Sequence, residues 1–142
     1  MFIDSSALVA LLAREADATR IATAIAAAAT RRTTPLVLLE ATMVLSTLLN
    51  VEPASAQAAI RATLEEADIS VEPLTEATAQ AAVLAFARYG KGRGHKAQLN
   101  MADCMIYAAA RLAGASLLFI GDDFSRTDVA SVLEDPRPRR RR

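Results

Sequence analysis

The stretch Met-Phe-Ile-Asp-Ser-Ser-Ala-Leu-Val-Ala, residues 1–10, changes pattern sharply at its fourth position. Its apolar start predicts a short buried strand, which stops at Asp4. The residues that follow predict a helix, for which Asp4 or Ser5 is a natural N-cap. A strand that leads directly into a helix, with an acid at the junction, is typical of folds in which strands and helices alternate.

The same strand-then-acid pattern occurs near the other end of the chain. Leu-Leu-Phe-Ile-Gly-Asp-Asp-Phe at residues 117–124 places Asp122 and Asp123 directly after a second apolar run. In an open parallel sheet, ligands bind beyond the carboxyl ends of the strands. We therefore expect Asp4, Asp122 and Asp123 to project from one edge of a sheet, where functional sites usually lie.

Apolar periodicity and breaker residues divide the chain into further elements. Strands are predicted at residues 1–4, 34–38, 69–71 and 116–120, with a last short one at 129–133. Helices are predicted at residues 5–12, 16–29, 40–50, 56–67, 75–89 and 101–113. Because strands and helices alternate with short connections, the fold class is α/β, a sandwich with a mostly parallel sheet.

Composition restricts the class of protein further. The 142 residues suit one domain, which we place at residues 1–135, and a hydrophobic content of 53% excludes a wholly disordered chain. A single cysteine, Cys104, excludes a disulfide framework and a cysteine-based zinc finger. No apolar run is long enough to span a membrane, and residues 1–4 do not resemble a signal peptide. A cytoplasmic protein with no membrane partner is therefore expected.

The zero net charge conceals an uneven distribution of charge. Residues 136–142, Pro-Arg-Pro-Arg-Arg-Arg-Arg, form a basic tail that we expect to be disordered. The rest of the chain is acidic, so the protein is not a uniformly basic nucleic-acid-binding protein. Two roles are open for the tail: an RNA- or partner-binding end, or a solubilising terminus.

Two more acids stand in apolar stretches of sequence. Glu40 is the one charged residue between Thr33 and Val51, so its carboxylate is expected to be partly buried. Helix capping does not explain such a residue, and an arginine, a proton or a metal would have to offset the cost of burying its charge. Asp103 lies in the first turn of the apolar helix predicted at residues 101–113.

Four acids from four distant segments, Asp4, Glu40, Asp103 and Asp122, could meet in one cleft. Without counter-charge their mutual repulsion would raise their pKa values, and a divalent cation would relieve it. Mg²⁺ and Mn²⁺ prefer oxygen ligands, and Mg²⁺ keeps several water molecules. The pattern therefore favours a metal site that activates water for in-line attack on a phosphate.

Three of these positions also have a purely structural explanation. Asp4 could be only the N-cap of the first helix. Asp103 could pair with Asn100 in an arrangement like a capping box. Asp122 and Asp123 could be ordinary turn residues. These alternatives stay open at the level of sequence.

At these residues the sequence resembles a PIN domain, and specifically the VapC-type toxin ribonucleases. The resemblance extends from Met1 to about Leu133, and it depends on the order and spacing of motifs that are weak individually. The motifs are Phe-Ile-Asp-Ser-Ser-Ala-Leu-Val-Ala at 2–10, Leu-Glu-Ala at 39–41, Tyr-Gly-Lys-Gly-Arg-Gly-His at 89–95, Leu-Asn-Met-Ala-Asp-Cys at 99–104 and Leu-Leu-Phe-Ile-Gly-Asp-Asp-Phe-Ser-Arg-Thr-Asp at 117–128.

The resemblance implies a PIN-like three-layer sandwich with a central sheet of four to five strands. It implies an endoribonuclease toxin that uses Mg²⁺ or Mn²⁺, forms a homodimer and is neutralised by a cognate VapB-type antitoxin. Residue by residue, Asp4, Glu40 and Asp103 match the first three metal-site acids of the family. The fourth falls in the turn that contains Asp122 and Asp123, and Asp122 is favoured because it comes first off the strand.

Several further positions match supporting roles in the family. Ser6 matches a small hydroxyl residue that supports the metal site, and Ser5 replaces the more usual threonine. Asp123 and Asp128 are candidates for outer-shell or second-metal roles. Ile120 stands where relatives often have a lysine or a threonine, so a polar contact from that position is lost here.

A basic, glycine-rich loop precedes the helix that carries Asp103. We predict that Lys91, Arg93, His95 and Lys96 bind RNA phosphates, with an affinity that falls as salt rises. A solvated hinge is the alternative interpretation. The loop lacks the ending of a P-loop, and an aromatic content of 4% argues against recognition by base stacking.

Other classes of α/β protein fit the sequence less well. A HAD-type phosphatase needs Asp-x-Asp, where this chain has Ser6, and a receiver domain needs a late lysine, whereas none follows Lys96. No Gly-x-Gly-x-x-Gly follows Ile3, which argues against dinucleotide binding. The remaining alternative is a catalytically silent PIN-like binding module.

The second and third predicted helices carry small and apolar residues that suit helix packing. They could form a dimer face or an antitoxin groove, or they could be ordinary core. The residues are Ala24, Ala28, Val44 and Leu48.

Overall fold

The computed structural model describes residues 1–133, along which strands and helices alternate. The strands are β1 (Phe2–Ile3), β2 (Arg32–Thr33), β3 (Ser70–Val71) and β4 (Leu117–Leu118). The helices are α1 (Ser5–Leu12), α2 (Ala18–Ala27), α3 (Pro35–Leu48), α4 (Pro53–Glu66), α5 (Glu76–Tyr89) and α6 (Met101–Leu112). The basic tail at residues 136–142 and the predicted domain end at residue 135 lie outside the described residues.

Within residues 1–133 the sheet has four short strands in the order β3-β2-β1-β4, and each neighbouring pair is parallel. This confirms the predicted α/β class with a parallel sheet. The strand predicted at residues 129–133 is reduced to one bridge, between Ser131 and Leu117. Because β1 and β4 are parallel neighbours, the acids that follow them leave the sheet at the same edge.

The strand predicted at residues 34–38 is wrong, because that segment begins α3 and β2 lies just before it. Thr34 is the N-cap of α3, and its hydroxyl accepts a hydrogen bond from the Val37 amide at 3.4 Å. Pro35 occupies the first turn, where a missing N–H has no helical partner to lose. The apolar residues that follow therefore build a helix, and this helix carries Glu40.

Three helices begin at residues whose side chains cap them. Asp4 is the N-cap of α1, and its side chain accepts a hydrogen bond from the Ser6 amide. Thr75 and Asn100 cap α5 and α6, and each forms a reciprocal capping box with the third residue of its helix. These caps fix the positions at which the chain turns from loop to helix.

The helices pack their apolar faces into one hydrophobic core. Ile21 and Ile25 of α2 are buried, as are Ile60 and Leu64 of α4, in agreement with their helical spacing. Among residues 1–133, none of the helices combines the length and the apolarity that crossing a membrane requires.

Arg31 joins the carboxyl-terminal ends of two helices. Its Nε donates to the Ile25 carbonyl at 2.7 Å and its Nη2 to the Ala26 carbonyl at 3.3 Å, both in the last turn of α2. Its Nη1 donates to the carbonyl of Ala67, the C-cap residue of α4, at 3.1 Å. The guanidinium thus donates to three carbonyls at these helix ends and places a positive charge where helix dipoles favour one.

Replacing Arg31 with alanine is expected to lower the free energy of unfolding by about 2–3 kcal/mol, because three charge-assisted hydrogen bonds are lost. Lysine should restore only part of this, since an ammonium cannot span three carbonyls with planar geometry. Urea denaturation measures the effect. Arg20→Ala, which removes an exposed pair with Asp17, is the control, and an equal loss in both variants would contradict the role of Arg31.

Candidate active site

Asp4 lies at the carboxyl end of the central strand β1 and is 5% exposed. Its Oδ2 accepts hydrogen bonds from the Ser6 amide at 3.0 Å and from the Ser6 hydroxyl at 2.6 Å. The same hydroxyl oxygen accepts a hydrogen bond from the Ile120 amide at 3.1 Å. Asp4 therefore does cap α1, and Ser6 also ties it to the segment that follows β4.

Glu40 projects from α3 and is half-buried, as its sequence context predicts. The hydroxyl of Ser5, which is itself buried, donates to Glu40 Oε1. Because Ser5 is the neighbour of Asp4, this contact brings the first helical turn of α1 and the acid of α3 together. The hydroxyl at position 5 thus joins α1 to the acid of α3.

Asp103 lies in the first turn of α6 and is 7% exposed. Its Oδ2 accepts from the Asn100 amide at 2.9 Å, and the Asn100 side chain accepts from the Asp103 amide at 2.9 Å. The capping box predicted as one explanation of Asp103 is therefore present. Capping does not require burial, so a carboxylate that is both a cap and nearly inaccessible calls for a second explanation.

The electrostatics of these acids show that they share one region. Burial raises the pKa of Asp4, the charge of Glu40 raises it further, and the hydrogen bonds from Ser6 act against both. Burial raises the pKa of Asp103 to about 6, with added contributions from the charges of Asp4, Asp123 and Glu40. The structure thus brings Asp4, Glu40 and Asp123 within electrostatic reach of Asp103, and Glu40 within reach of Asp4.

No positive side chain pairs with Asp4, Glu40 or Asp103 within residues 1–133. The ion pairs found in that part of the chain join Arg20 with Asp17 and Arg88 with Asp128. The acids therefore form a region of unbalanced negative charge, which raises the free energy of their ionised forms.

The turn after β4 holds two exposed acids, Asp122 and Asp123. The backbone carbonyl of Asp122 accepts a hydrogen bond from the Ser125 hydroxyl at 2.8 Å. The next residue, Phe124, is buried and packs on Phe119 with ring centroids 5.2 Å apart, which anchors the turn in the core. The charge of Asp123 is one of those that raise the pKa of Asp103.

Asp128 is engaged by a different set of residues. The Tyr107 hydroxyl donates to its Oδ1, and Arg88 Nη1 donates to its Oδ2 at 3.2 Å. The hydrogen bond from Tyr107 is the main reason that the pKa of Asp128 is lowered, while burial and that same bond raise the pKa of Tyr107. Sequence reasoning missed Tyr107, although its spacing four residues after Asp103 was a usable signal.

The four predicted RNA-binding residues lie between α5 and α6, but they are not equivalent. Lys91 and Lys96 are exposed. The Arg93 guanidinium lies over the ring of Phe86, 5.5 Å from its centroid. His95 is half-buried, and its Nδ1 accepts a hydrogen bond from the Ala97 amide at 3.0 Å.

The acids fit a divalent cation in their chemistry, although their side chains are not gathered around one point. Within residues 1–133, no three His, Cys, Asp or Glu side chains are gathered closely enough to hold a metal ion as they are oriented. The chemistry of the donors nevertheless fits Mg²⁺ or Mn²⁺, because both prefer carboxylate oxygens. The raised pKa values of Asp4 and Asp103 reflect a cost of ionisation that a cation would relieve.

The sequence model of the PIN domain matches residues 1–130. The chain therefore belongs to the PIN domain family, and within that family to the VapC group. It is 40% identical over 134 residues to ribonuclease VapC28 of Mycobacterium tuberculosis, a match that covers 94% of this chain and 98% of the relative. It is also 40% identical over 132 residues to ribonuclease VapC of Mycolicibacterium smegmatis, covering 93% and 99% of the two chains.

Solved structures confirm the PIN-like α/β fold. The crystal structure of Mycobacterium tuberculosis VapC20, a sarcin-ricin loop cleaving toxin, superposes with a TM-score of 0.71 at 23% identity, covering 91% of this chain and 95% of that one. A chain of a toxin-antitoxin complex from Klebsiella pneumoniae superposes with a TM-score of 0.69 at 16% identity, covering 94% and 98%.

Proposed function

We propose that this protein is a metal-dependent endoribonuclease that acts as a toxin and is neutralised by a cognate antitoxin. The observation that carries the proposal is the set of carboxylates at one edge of the sheet, of which Asp4 and Asp103 are almost fully buried. A fold gains nothing in stability from burying unpaired acids together. Membership of the VapC group, whose relatives at 40% identity are named ribonucleases, supports RNA as the substrate.

Asp4, Glu40, Asp103 and one acid of the turn after β4 would hold Mg²⁺ or Mn²⁺. When bound, such a cation lowers the pKa of water and neutralises charge on phosphate oxygens, which is the chemistry that in-line phosphodiester hydrolysis needs. The protein's part is to fix its carboxylates by contacts with Ser6, Ser5 and Asn100. The expected products carry a 5′-phosphate and a 3′-hydroxyl.

Asp123 is a better candidate than Asp122 for the acid that the turn contributes. Its charge acts on Asp103, which supports a position facing the other acids. The sequence favoured Asp122 because it comes first after the strand, but position along the chain does not determine direction in a turn. Comparing Asp122→Asn with Asp123→Asn in a cleavage assay decides between them.

The loop between α5 and α6 would attract RNA to this acidic edge. Lys91 and Lys96 are exposed and can pair with phosphates, whereas Arg93 and His95 also pack on aromatic rings. Charged contacts of this kind supply affinity without reading sequence. In this proposal Lys91, Arg93, His95 and Lys96 bind the phosphate backbone of RNA, and we call them the RNA clamp.

Replacing Lys91 or Lys96 with glutamine is expected to weaken binding of single-stranded RNA and to reduce the slope of log Kd against log salt by about 0.7 for each. The physical reason is that each lysine releases condensed cations from the RNA when it binds. Fluorescence anisotropy in chelator measures both effects. Arg61→Gln, which removes an exposed cation from α4, is the matched control, and equal slopes in all variants would contradict the clamp.

Exposed apolar residues of α3 support the proposed protein partners, a second copy of this chain and an antitoxin helix. Val44 and Leu48 are 43% and 55% exposed, so they are free of the core. Ala24 and Ala28 are instead partly buried against the core. Ala24 and Ala28 therefore fit the interpretation as ordinary core residues. Val44 and Leu48 fit the interpretation as part of an interface.

The proposal is tested by incubating purified protein with a mixed pool of cellular RNA. The reactions contain Mn²⁺, Mg²⁺ or chelator, and the Asp4→Asn variant is run beside the wild type. Discrete cuts that need the metal and disappear in the variant are expected, and mapping their ends identifies the target. Cuts of equal strength in the variant, or none at all, would favour the catalytically silent binding module instead.

A further inference from the structure

Asp128 stands at the centre of a cluster that joins separate parts of the chain. Its Oδ1 accepts from the Tyr107 hydroxyl of α6, and its Oδ2 accepts from Arg88 at the end of α5. Both carboxylate oxygens are therefore engaged by donors of the protein. An acid in this state is poorly placed to serve as a metal ligand, which leaves its place in the fold to be explained.

The contacts continue from this cluster into the basic loop. The Arg88 guanidinium lies over the ring of Tyr89, 4.7 Å from its centroid. Tyr89 is 2% exposed, and its ring meets Tyr107 at 5.6 Å and His95 at 4.8 Å between centroids, both edge-on. Because His95 belongs to the loop, a continuous path of side chains runs from Asp128 to the proposed RNA clamp.

The backbone of the loop is held at its two ends, and between them by the Arg93 amide, which donates to the Gly90 carbonyl at 3.1 Å, and by side chains, among them Arg126, whose Nη1 donates to the Lys96 carbonyl at 3.3 Å. A parallel bridge joins Gly90 and Leu99, and the Lys91 amide donates to the Leu99 carbonyl at 2.9 Å. Between these points Gly92 and Gly94 have φ values of 80° and 82°, which glycine adopts without strain and without restricting the chain. The position of the middle of the loop therefore also depends on side-chain contacts.

The anchor of the cluster lies close to the acids. Tyr107 follows Asp103 by four residues on α6, so the two side chains occupy successive turns of one helical face. Whatever holds the loop to Tyr107 also sets the distance between the loop and the acidic edge. This is the distance that a phosphate bound by the loop would have to span.

We propose that Tyr107, Asp128 and Arg88 form a clasp that positions the basic loop beside the acids, and that Asp128 is a positioning residue for RNA. The inference rests on the proposed function and extends it. It separates Asp128 from the acids that would hold the cation, and it gives Tyr107 a role in substrate binding without contact with the reacting phosphate.

Two conservative variants test the clasp. Tyr107→Phe removes one hydroxyl and keeps the ring contacts with Tyr89. Asp128→Asn removes the charge that pairs with Arg88 and keeps an acceptor for Tyr107. In each, the KM for RNA cleavage is expected to rise about tenfold while kcat stays within about twofold, because substrate binding changes and the reacting groups do not.

The control and the double variant make this result specific. Asp17→Asn also removes the acid of an exposed arginine–aspartate pair, with Arg20, and should leave KM unchanged. The double variant of Tyr107 and Asp128 should lose little more than either single variant, since both weaken one network. Strictly additive losses, effects equal to the control, or a fall in kcat at constant KM would each overturn the proposal.

A second readout needs no RNA. The chain has one histidine, so the imidazole NMR signals of the untagged protein report on His95. Its Nδ1 accepts from the Ala97 amide, so the Nε2–H tautomer is expected in the wild type, with signals that shift or broaden in both variants. Unchanged signals would overturn the clasp, and a wild type that cleaves no RNA would overturn the proposed function while this readout still decides the clasp.

Discussion

Replacing Glu40 with glutamine is expected to lower the rate of RNA cleavage by on the order of a thousandfold, because its carboxylate would be one of the ligands of the cation that neutralises charge on the phosphate. Glutamine keeps the shape of the side chain and an oxygen that can accept from the Ser5 hydroxyl. It removes the negative charge that also raises the pKa values of Asp4 and Asp103. The loss of activity should therefore come without a loss of fold.

Cleavage of a defined RNA in Mn²⁺, together with circular dichroism and thermal unfolding, measures both parts of this expectation. Glu66→Gln is the matched control, because it removes a carboxylate from the exposed end of α4 by the same chemical change. Full activity in Glu40→Gln would remove Glu40 from the site. Loss of activity with loss of structure would assign it to stability.

Replacing Asp103 with asparagine should abolish cleavage and yet stabilise the protein in chelator at pH 7. The buried carboxylate must ionise against its surroundings there, since its pKa is raised to about 6. A shift of about two units corresponds to roughly 3 kcal/mol, and the buried amide offsets part of it, so a gain on the order of 2 kcal/mol is expected. The amide oxygen can still accept from Asn100, so the cap of α6 is retained.

The same shift fixes the direction of the pH dependence. In the unfolded chain Asp103 ionises near its ordinary pKa of 3.8, whereas in the folded protein it keeps its proton until about pH 6. Between these values the folded state binds more protons, so the free energy of unfolding falls as pH rises. The raised pKa of Asp4 acts in the same direction. In Asp103→Asn the free energy of unfolding should therefore depend less on pH between these two pKa values.

Urea denaturation in chelator from pH 4 to pH 8 measures this pH dependence and the gain at neutral pH. Glu65→Gln removes an exposed charge and should leave both nearly unchanged. An Asp103→Asn protein that is less stable than the wild type at pH 7 would show that the carboxylate stabilises the fold as a cap. In Mg²⁺ the wild type should instead be more stable than Asp103→Asn, because the cation would offset the cost of ionising the buried acids.

Elements whose sequence signals are local could be predicted from the sequence. The cap at Asp4, the capping box at Asn100 and the spacing of Ile60 and Leu64 each depend on a few neighbouring residues, and the structure agrees with them. The segment at residues 34–38 failed because two local signals competed. Its apolar and β-branched residues favour a strand, but a threonine cap followed by proline starts a helix.

The placement of three candidate acids was predictable from the sequence, whereas the contacts of the others were not. That Asp4, Glu40 and Asp103 meet at one edge follows from parallel strands and from helices that begin beside them. The orientation of Asp123 depends on its neighbour Phe124, which is buried and packs on Phe119. The sequence of the turn does not predict this packing. The engagement of Asp128 depends on a tyrosine from a helix more than twenty residues away in sequence.

The pairing of β1 with β4 also determines when the protein can become active. Leu117, the sheet partner of Phe2, is synthesised more than a hundred residues after it. Pairings this distant in sequence form slowly, because closing a long loop costs entropy before the contacts that compensate for it are made. Asp4 therefore lacks some of the neighbours that bury it while more than a hundred further residues are synthesised. A growing chain on the ribosome carries the acids one by one but no assembled site, and the start of activity is set by the completion of folding rather than by the start of translation.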